Sequence, residues 1–429
     1  MVFFAILSAP GSVFAQAELP PPFEFSFSNP GARSMGFGGA FAALADDATA
    51  AFANPAGLVQ LVDPEVSIEG RTWHYSTPYV SGGRIFGPPT GIGEDHTAGL
   101  RTGSSEQNLA GISFLSFVYP QRRWSFALYR HLLSNYEFAG TTDGLYSGPW
   151  PDTGPVRREF AYDRTADVGI VSYAAAVAYE VTETLSLGVS VNYFDCSIGL
   201  ITGVYGQIRS GTPPEEFYAP VPIVPDNLFY TASLLVDGWD WGLSFGVQWR
   251  PTIHWKFGGF FREGPKFGSV AELRAGPTYI DPSLSGEVIE SETGATQFPN
   301  VYGLGASYRS DNGRITLSFE WDHVEYSSIF GYDDEIRIDD ADELHLGGEY
   351  AVLTMAPIVS VRAGVWLDPD HQISYSGTNY VAEAVLGSGE DHVHFAAGLG
   401  LAFERFQLDL AIDLSELVDT VSGSFISRL

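Results

Sequence analysis

Residues 395–414 read FAAGLGLAFERFQLDLAIDL. Phe395, Ala397, Leu399, Leu401 and Phe403 take alternate positions up to Glu404-Arg405, and Phe406, Leu408, Leu410, Ile412 and Leu414 take alternate positions beyond it. A two-residue turn pairs the residues that flank it, so Phe403 and Phe406 share a face and both apolar rows fall on one side of a hairpin. The other side carries Gly398, Gly400, Glu404, Gln407, Asp409 and Asp413. A closed protein core would not tolerate so many polar groups. The pattern describes a sheet with an apolar outside and a polar lumen.

The same scheme recurs upstream. Leu185, Leu187, Val189, Val191 and Tyr193 alternate with Thr184, Ser186, Gly188, Ser190 and Asn192, and Ile315, Leu317, Phe319 and Trp321 alternate with Thr316, Ser318, Glu320 and Asp322. It runs from about residue 65 to the end of the 429-residue chain without a break in composition, which favours one large sheet over several domains. No stretch reaches the ~18 uncharged apolar residues of a membrane-spanning helix. A membrane β-strand needs only ~9–11 alternating residues, which hydropathy windows average away. In 241–249 the outward row is Trp241, Leu243, Phe245, Val247 and Trp249, with an indole at each end, and the inward row is Gly242, Ser244, Gly246, Gln248 and Arg250. Such a strand, tilted by ~40°, spans roughly 20 Å of membrane normal, close to an outer-membrane apolar band. The alternative is an amphipathic strand in a soluble sandwich. The expectation is an all-β fold: a transmembrane antiparallel β-barrel of about 14 strands.

At the N-terminus, Val2 to Ile6 are apolar and Ser12-Val13-Phe14-Ala15 ends in a small-x-small pattern, so 1–15 is expected to be a signal peptide cleaved after Ala15. The single cysteine, Cys196, excludes an internal disulfide and lies too far along for a lipid anchor. A net charge of −30 leaves no basic stripe for nucleic acid. Lys256 and Lys266 are the only lysines, and acids cluster in Tyr332-Asp333-Asp334-Glu335 and Asp339-Asp340-Ala341-Asp342-Glu343. These runs lack EF-hand spacing and read as solvated external loops, or as sites where divalent ions bridge to lipopolysaccharide.

Short links such as 180–183, 250–252, 310–313 and 404–405 alternate with long ones at 75–107, 131–167, 198–227, 326–343 and 368–391, the asymmetry of periplasmic turns and external loops. The segment Leu200 to Tyr230 is unusually apolar for a loop, with Phe217, Tyr218, Ile223 and Phe229. It reads either as a ligand-capturing patch or as a lid packed over the barrel mouth. Before the strands, Gly36 to Phe52 has no period of two and reads as Ala-rich helical turns stopped by Asn54-Pro55.

Two groups of motifs resemble the FadL and TodX family of outer-membrane long-chain fatty acid and hydrocarbon transporters. The first is Gly31-Ala32-Arg33, Gly36 to Phe41, Ala45-Asp46-Asp47-Ala48 and Asn54-Pro55-Ala56-Gly57-Leu58. The second is Phe298-Pro299, Leu304-Gly305-Ala306-Ser307-Tyr308, Leu346-Gly347-Gly348-Glu349-Tyr350 and Val361-Arg362-Ala363-Gly364-Val365. PorV-like barrels of type IX secretion are similar over the first. The resemblance implies an N-terminal plug, or hatch, over 16–62 inside a barrel formed by 63–429, with Asp46, Asp47, Asn54, Pro55, Ala56 and Gly57 as the hatch motif. It further implies passive transport of hydrophobic compounds by loop capture, hatch shift and lateral exit. The expected setting is the bacterial outer membrane, as a monomer inserted by the barrel assembly machinery among outer-membrane lipid and lipopolysaccharide. The PorV-like alternative is a protein-interaction barrel for secretion or surface attachment, and a general polar porin is a third reading.

Arg362 lies in the inward row of its strand, where it could hold a ligand carboxylate or pair with inward acids such as Glu320, Asp322 or Glu349. With Phe217, Tyr218, Ile223 and Phe229 it forms the candidate ligand-binding set. No Gly-x-Ser-x-Gly elbow is present, and Cys196 has no evident base partner, so no catalytic residue and no enzyme activity are expected. His392 and His394 share a face and make at most half a metal site; rim polarity is the simpler reading, and neither metal nor cofactor is expected.

Overall fold

A computed structural model of the chain describes residues 28–148, 157–158, 161–206, 218–329, 335–378, 380–386 and 389–429. The expected signal peptide, 1–15, lies outside them. Fourteen antiparallel strands form the wall: β1 (Glu65–Phe86), β2 (Leu100–Gln121), β3 (Trp124–Thr142), β4 (Ala161–Thr182), β5 (Leu185–Tyr205) and β6 (Leu228–Trp249). They continue with β7 (Trp255–Arg262 and Lys266–Ala275), β8 (Val288–Gln297 and Val301–Arg309), β9 (Ile315–Val324), β10 (Ala341–Val352), β11 (Ile358–Asp368), β12 (His392–Ala402), β13 (Phe406–Leu414) and β14 (Val418–Arg428). Each strand pairs with the next, and β1 closes on β14 from Glu65↔Arg428 to Tyr75↔Val418. Closure leaves no free edge, as a lipid environment demands.

The alternation decides which way each row faces. Trp241, Leu243, Phe245, Val247 and Trp249 are exposed, whereas Ser244 and Gln248 are buried. Leu399, Leu401, Leu408, Leu410 and Ile412 are exposed likewise, and the Phe403 and Phe406 rings stack at 4.3 Å across the Glu404-Arg405 turn. So broad an exposed apolar surface has no place in water, and it makes the barrel a membrane-spanning one.

The long strands depart from expectation. The spans 75–107, 131–167 and 198–227 were expected as loops, yet β1 to β5 carry their ladders well into them. Beyond the bilayer the outward row need not be apolar, so the period vanishes while the hydrogen bonding continues. The expected strand 241–249 is part of a longer one that begins at Leu228, because Gly238 and Asp240 stay paired with Cys196 and Phe194 of β5. The unexpected segment Val288–Gln297 pairs with Lys266–Ala275 although its sequence, VIESETGATQ, has no apolar row.

Two interruptions matter for the lumen. β7 and β8 break together at 263–265 and 298–300, where Gln297 Nε2 donates to Gly264 O at 2.7 Å and Gly264 N donates to Asn300 Oδ1 at 2.9 Å. The β2–β3 ladder runs only from Gln121↔Trp124 to Phe114↔His131. Above it β2 pairs with β1, β3 with β4, and the register of β3 shifts between Leu132 and Ser134.

Residues 28–62 lie within the barrel. Helix α1 (Ala32–Gly36), helix α2 (Ala50–Ala53) and a 3-10 turn (Pro55–Gln60) are joined by irregular backbone, so the helical reading of Gly36 to Phe52 holds only in short pieces. Small residues make this possible: Ala40, Ala42, Ala43, Ala45, Ala48 and Ala51 are all fully buried against the wall.

Candidate functional site

A buried segment with little regular structure must find partners for its own N–H and C=O groups. Here the wall supplies them. Gly31 N donates to Glu69 Oε2 at 2.9 Å, and Arg71 Nη2 donates to Asn29 O at 2.8 Å. Phe41 N and Ala42 N both donate to Glu320 Oε2, each at 2.5 Å. Gln248 Nε2 donates to Ala43 O at 3.0 Å, Ser186 Oγ donates to Ala56 O at 2.9 Å, and His345 Nδ1 lies 2.7 Å from Gly38 O. These wall residues belong to inward rows of β1, β5, β6, β9 and β10. None of them was singled out from the sequence as a partner of the segment; Glu320 was weighed only as a partner of Arg362. Two wall glycines allow the closest approach: a Cβ on Gly347 or Gly364 would lie 2.2 Å from Phe37 O or Gly38 N.

The Asp-Asp and Asn-Pro motifs tie the segment to itself. Asp46 Oδ1 accepts from Arg33 Nη1 at 2.5 Å, and its Oδ2 lies 3.5 Å from Lys256 Nζ. Asp47 Oδ1 accepts from Thr49 N at 2.9 Å and from Thr49 Oγ1. Asn54 Nδ2 donates to Ala42 O at 2.9 Å and to Val247 O at 3.0 Å, while its Oδ1 accepts from Ala56 N at 3.2 Å and so caps the turn that Pro55 begins. Gly57 admits no side chain, since a Cβ would sit 2.2 Å from Ala45 O.

Arg362 is drawn into an ion-pair network. Its Nε donates to Glu349 Oε2 at 2.7 Å and its Nη1 to Asp409 Oδ1 at 2.6 Å, and all three side chains are largely buried. Of the acids weighed as partners, Glu349 pairs with Arg362, Asp409 is the other partner, and Glu320 is committed to the inner segment. The Arg362 stem also packs on Gly36 of α1.

Above the inner segment the lumen changes character. Along β5 the inward row passes from Ser186, Ser190 and Asn192 to Phe194, Cys196, Ile198 and Leu200. With Tyr136, Phe138, Val168, Val236, Phe267 and Phe298 these form one buried apolar cluster, flanked by Leu109 of β2 and Leu133 of β3. An inward row polar throughout was expected; it is polar only where it meets the inner segment. The sequence still alternates here but in the opposite phase: the inward Phe194, Cys196, Ile198 and Leu200 are apolar, and the outward Asp195, Ser197 and Gly199 are not. Cys196 is thus a packing residue, its burial pointing to an inert thiol.

The external segments pack on one another. Tyr218 is buried, its ring centroid 5.5 Å from that of Tyr146, and its carbonyl accepts from Glu94 N at 2.8 Å. Phe229 is buried with Tyr230, Val204 and Leu273, Ile223 is half-buried, and Phe217 lies outside the described residues. This favours the lid reading for Tyr218 and Phe229. Arg84 anchors the lid from β1: its Nε and Nη2 donate to Asp95 at 2.8 and 3.0 Å, and its Nη1 to Phe86 O at 2.7 Å and to Gly148 O.

Burial alone would raise the Asp95 carboxyl, but the hydrogen bonds from Arg84 and Thr90 overcome it and hold the group below its ordinary value. A depressed carboxyl stabilises the fold at neutral pH and loses that contribution as pH falls from the ordinary value, about 4, through the folded one. Hydrogen exchange at descending pH should therefore show the amides of Gly91 and Asp95 losing protection while the barrel ladder keeps its own. Loop and ladder opening together would contradict this.

His392 lies 3.7 Å from Glu416, while His394 stacks on Trp366 with centroids 3.8 Å apart and contacts Asp413 at 3.1 Å, so the two do not converge on one site. A cavity of about 80 Å³ opens beside the inner segment, lined by Asn29, Gly39, Arg71, Asp322, Glu343 and His345 among others.

No family model matches the sequence, and no curated protein does. Solved structures do match it. A FadL homologue of Pseudomonas aeruginosa is 14% identical with a TM-score of 0.64, over 96% of this chain and all (100%) of that one. The toluene transporter TbuX of Ralstonia pickettii is 17% identical with a TM-score of 0.58, over 94% of this chain and 99% of that one. The toluene transporter TodX of P. putida is 15% identical with a TM-score of 0.58 over the same shares, 94% and 99%. At such identities the likeness is one of fold, and it extends over almost the whole chain: this chain has the fold of the FadL-type β-barrels.

Proposed function

We propose that the protein carries hydrophobic compounds, of the long-chain fatty acid or hydrocarbon kind, passively across the outer membrane, with residues 28–62 as its hatch and the parting of β2 from β3 as a lateral exit. The observation that carries this reading is the apolar cluster lying between the loop lid and the hatch, with Leu109 and Leu133 extending it to the place where the β2–β3 ladder ends. A ligand of ~16 carbons gains roughly 12 kcal/mol gross on leaving water, so it would not pass readily into an aqueous channel below. It is served better by a path that stays apolar and ends in lipid. The eight ladder positions Phe114 to Gln121 raise the parting ~20 Å above the turn, near the top of an apolar band ~25 Å tall. Hydrocarbon and toluene transport by structures of the same fold supports the ligand class.

Gly111 tests the path. It lies on the inward row of β2, where an added Cβ meets only Leu132 Cδ2, at 3.6 Å, so a side chain fits without displacing backbone. Gly111→Trp places an indole across the parting. Uptake of a labelled long-chain fatty acid into proteoliposomes is expected to fall by about tenfold while the thermal midpoint of the barrel holds. Undiminished uptake would exclude this exit, and no uptake by the unmodified protein of either fatty acid or toluene would exclude the function itself.

A further inference from the structure

We propose that Asp322, Glu343 and His345 form a binding site for one divalent transition-metal ion of the Zn2+ class, set in the barrel wall against the hatch. The inference does not depend on what the barrel transports.

The three groups come from two neighbouring strands. Asp322 of β9 is the direct cross-strand partner of Glu343 of β10, and His345 follows on the same inward row. Each offers one ligand atom, and the three atoms lie within 4.8 Å of one another. Two carboxylates directly opposite each other on a sheet repel, and burial adds a desolvation cost unless a cation stands between them. The cations nearby are otherwise engaged. Arg71 Nε donates to Glu69 at 2.7 Å. Arg262 Nη2 donates to Asn29 Oδ1 at 2.9 Å and to Ala53 O at 3.1 Å, and its guanidinium lies over the rings of Phe52 and Phe260. No ion pair joins either to Asp322 or Glu343 among the described residues.

Two atoms point independently to a missing partner. Asp322 and His345 are each only 7% exposed, yet Asp322 Oδ1 has no hydrogen-bond partner, and His345 Nε2 meets only Glu343 Oε2, 3.3 Å away and outside hydrogen-bond geometry. Both residues line the cavity of about 80 Å³, which has room for an ion and a water or two. The imidazole is also oriented as a ligand. With Nδ1 2.7 Å from Gly38 O, the nitrogen facing the carbonyl carries a proton, and in the neutral ring a metal would bind, the Nε2 lone pair then faces the carboxylates. A second-shell acceptor of this kind is the usual partner of a metal-bound histidine. Here that acceptor belongs to the hatch. Gly39 lets the ring sit so close, since a Cβ there would lie 2.9 Å from Nδ1.

One imidazole and two carboxylates suit Zn2+ and its neighbours in the first transition row. Calcium wants six or more oxygens, which this corner does not offer.

The test uses the full chain, purified in detergent and stripped with chelator. After loading with Zn2+ and desalting, elemental analysis is expected to find about one ion per chain, and Co2+ is expected to give visible ligand-field bands that Zn2+ removes. Asp322→Asn and His345→Gln keep the side-chain volume and should each weaken binding at least tenfold, read by competition with a metal-sensitive dye. His323→Ala, which removes the outward neighbour paired to Asp342 at 2.8 Å, should change nothing. Heat-modifiable migration on gels verifies that each variant is a folded barrel. The proposal fails if the unmodified protein retains no ion, as expected were His345 simply to pair with Glu343, 3.3 Å away. It fails equally if a folded Asp322→Asn binds as tightly as the unmodified protein, or if His323→Ala weakens binding as much.

Discussion

Arg362→Ala is expected to destabilise the barrel by about 3–5 kcal/mol, because it strips buried Asp409 of its one ion-pair partner among the described residues and Glu349 of the closer of its two. The remaining neighbours cannot compensate. Arg33 Nε stands 3.9 Å from Glu349, already committed to Asp46, and Gln407 Nε2 gives Asp409 one hydrogen bond at 2.8 Å. Urea unfolding in lipid vesicles would read the loss. Removing the charges together has the opposite logic: Arg362→Met combined with Glu349→Leu and Asp409→Leu should regain most of the stability, since an apolar replacement of a buried network avoids desolvating any charge. The same network bears on ligand recognition. Two of the guanidinium's faces are occupied by protein carboxylates, so Arg362→Ala should reduce uptake of a fatty acid and of a neutral hydrocarbon by equal factors. A selective loss of the acid would restore Arg362 as a carboxylate anchor.

That a lumen-facing arginine could be singled out, while its true partners could not, follows from what strand patterns encode. Alternation reports the face of each residue, and in Phe395 to Leu414 or Trp241 to Trp249 it does so without ambiguity because lipid tolerates nothing else outside. It says nothing about which inward residue meets which. Asp409 reaches Arg362, and Glu320 reaches Phe41, 279 positions away, only after fourteen strands have closed in one register. Val288–Gln297 escaped notice for the converse reason: it lies in the wall but carries no apolar row, so nothing in its composition separates it from a loop. The apolar upper lumen was hidden by a change of phase, since Phe194, Ile198 and Leu200 alternate with Asp195, Ser197 and Gly199 and so put the apolar row inside, where the membrane-level stretch of the same strand puts it outside. That residues 28–62 would lie inside the lumen was an expectation from resemblance alone. Its physical content, small residues at Ala40 to Ala53 meeting glycines on the wall, emerges only when both surfaces are brought together.

Glu320→Ala is expected to free the inner segment, residues 28–62, without opening the barrel. Among the described residues the Glu320 carboxylate is the sole acceptor for the amides of Phe41 and Ala42, and its other oxygen accepts from Asn29 Nδ2 at 3.3 Å. Removing it leaves two buried N–H groups unpaired, at a cost of about 2–5 kcal/mol confined to that turn. No ladder bond is touched, because the backbone of Glu320 remains paired with Gly305 and His345. Hydrogen exchange of residues 31–58 should therefore speed up by roughly 100-fold, tenfold for every ~1.4 kcal/mol, while amides of β9 and β10 keep their protection. In planar bilayers the variant should show brief conductance events that the unmodified protein lacks, each being an excursion of the hatch from its seat. Glu320→Gln retains an acceptor oxygen and should fall between the two. If exchange over 31–58 is unchanged in Glu320→Ala, the seat is held by the glycine contacts and apolar packing instead, and the polar bonds of the wall serve to satisfy the segment and not to fix it. If β9 and β10 lose protection together with the hatch, segment and barrel unfold as one unit and the hatch has no independent motion to contribute to transport.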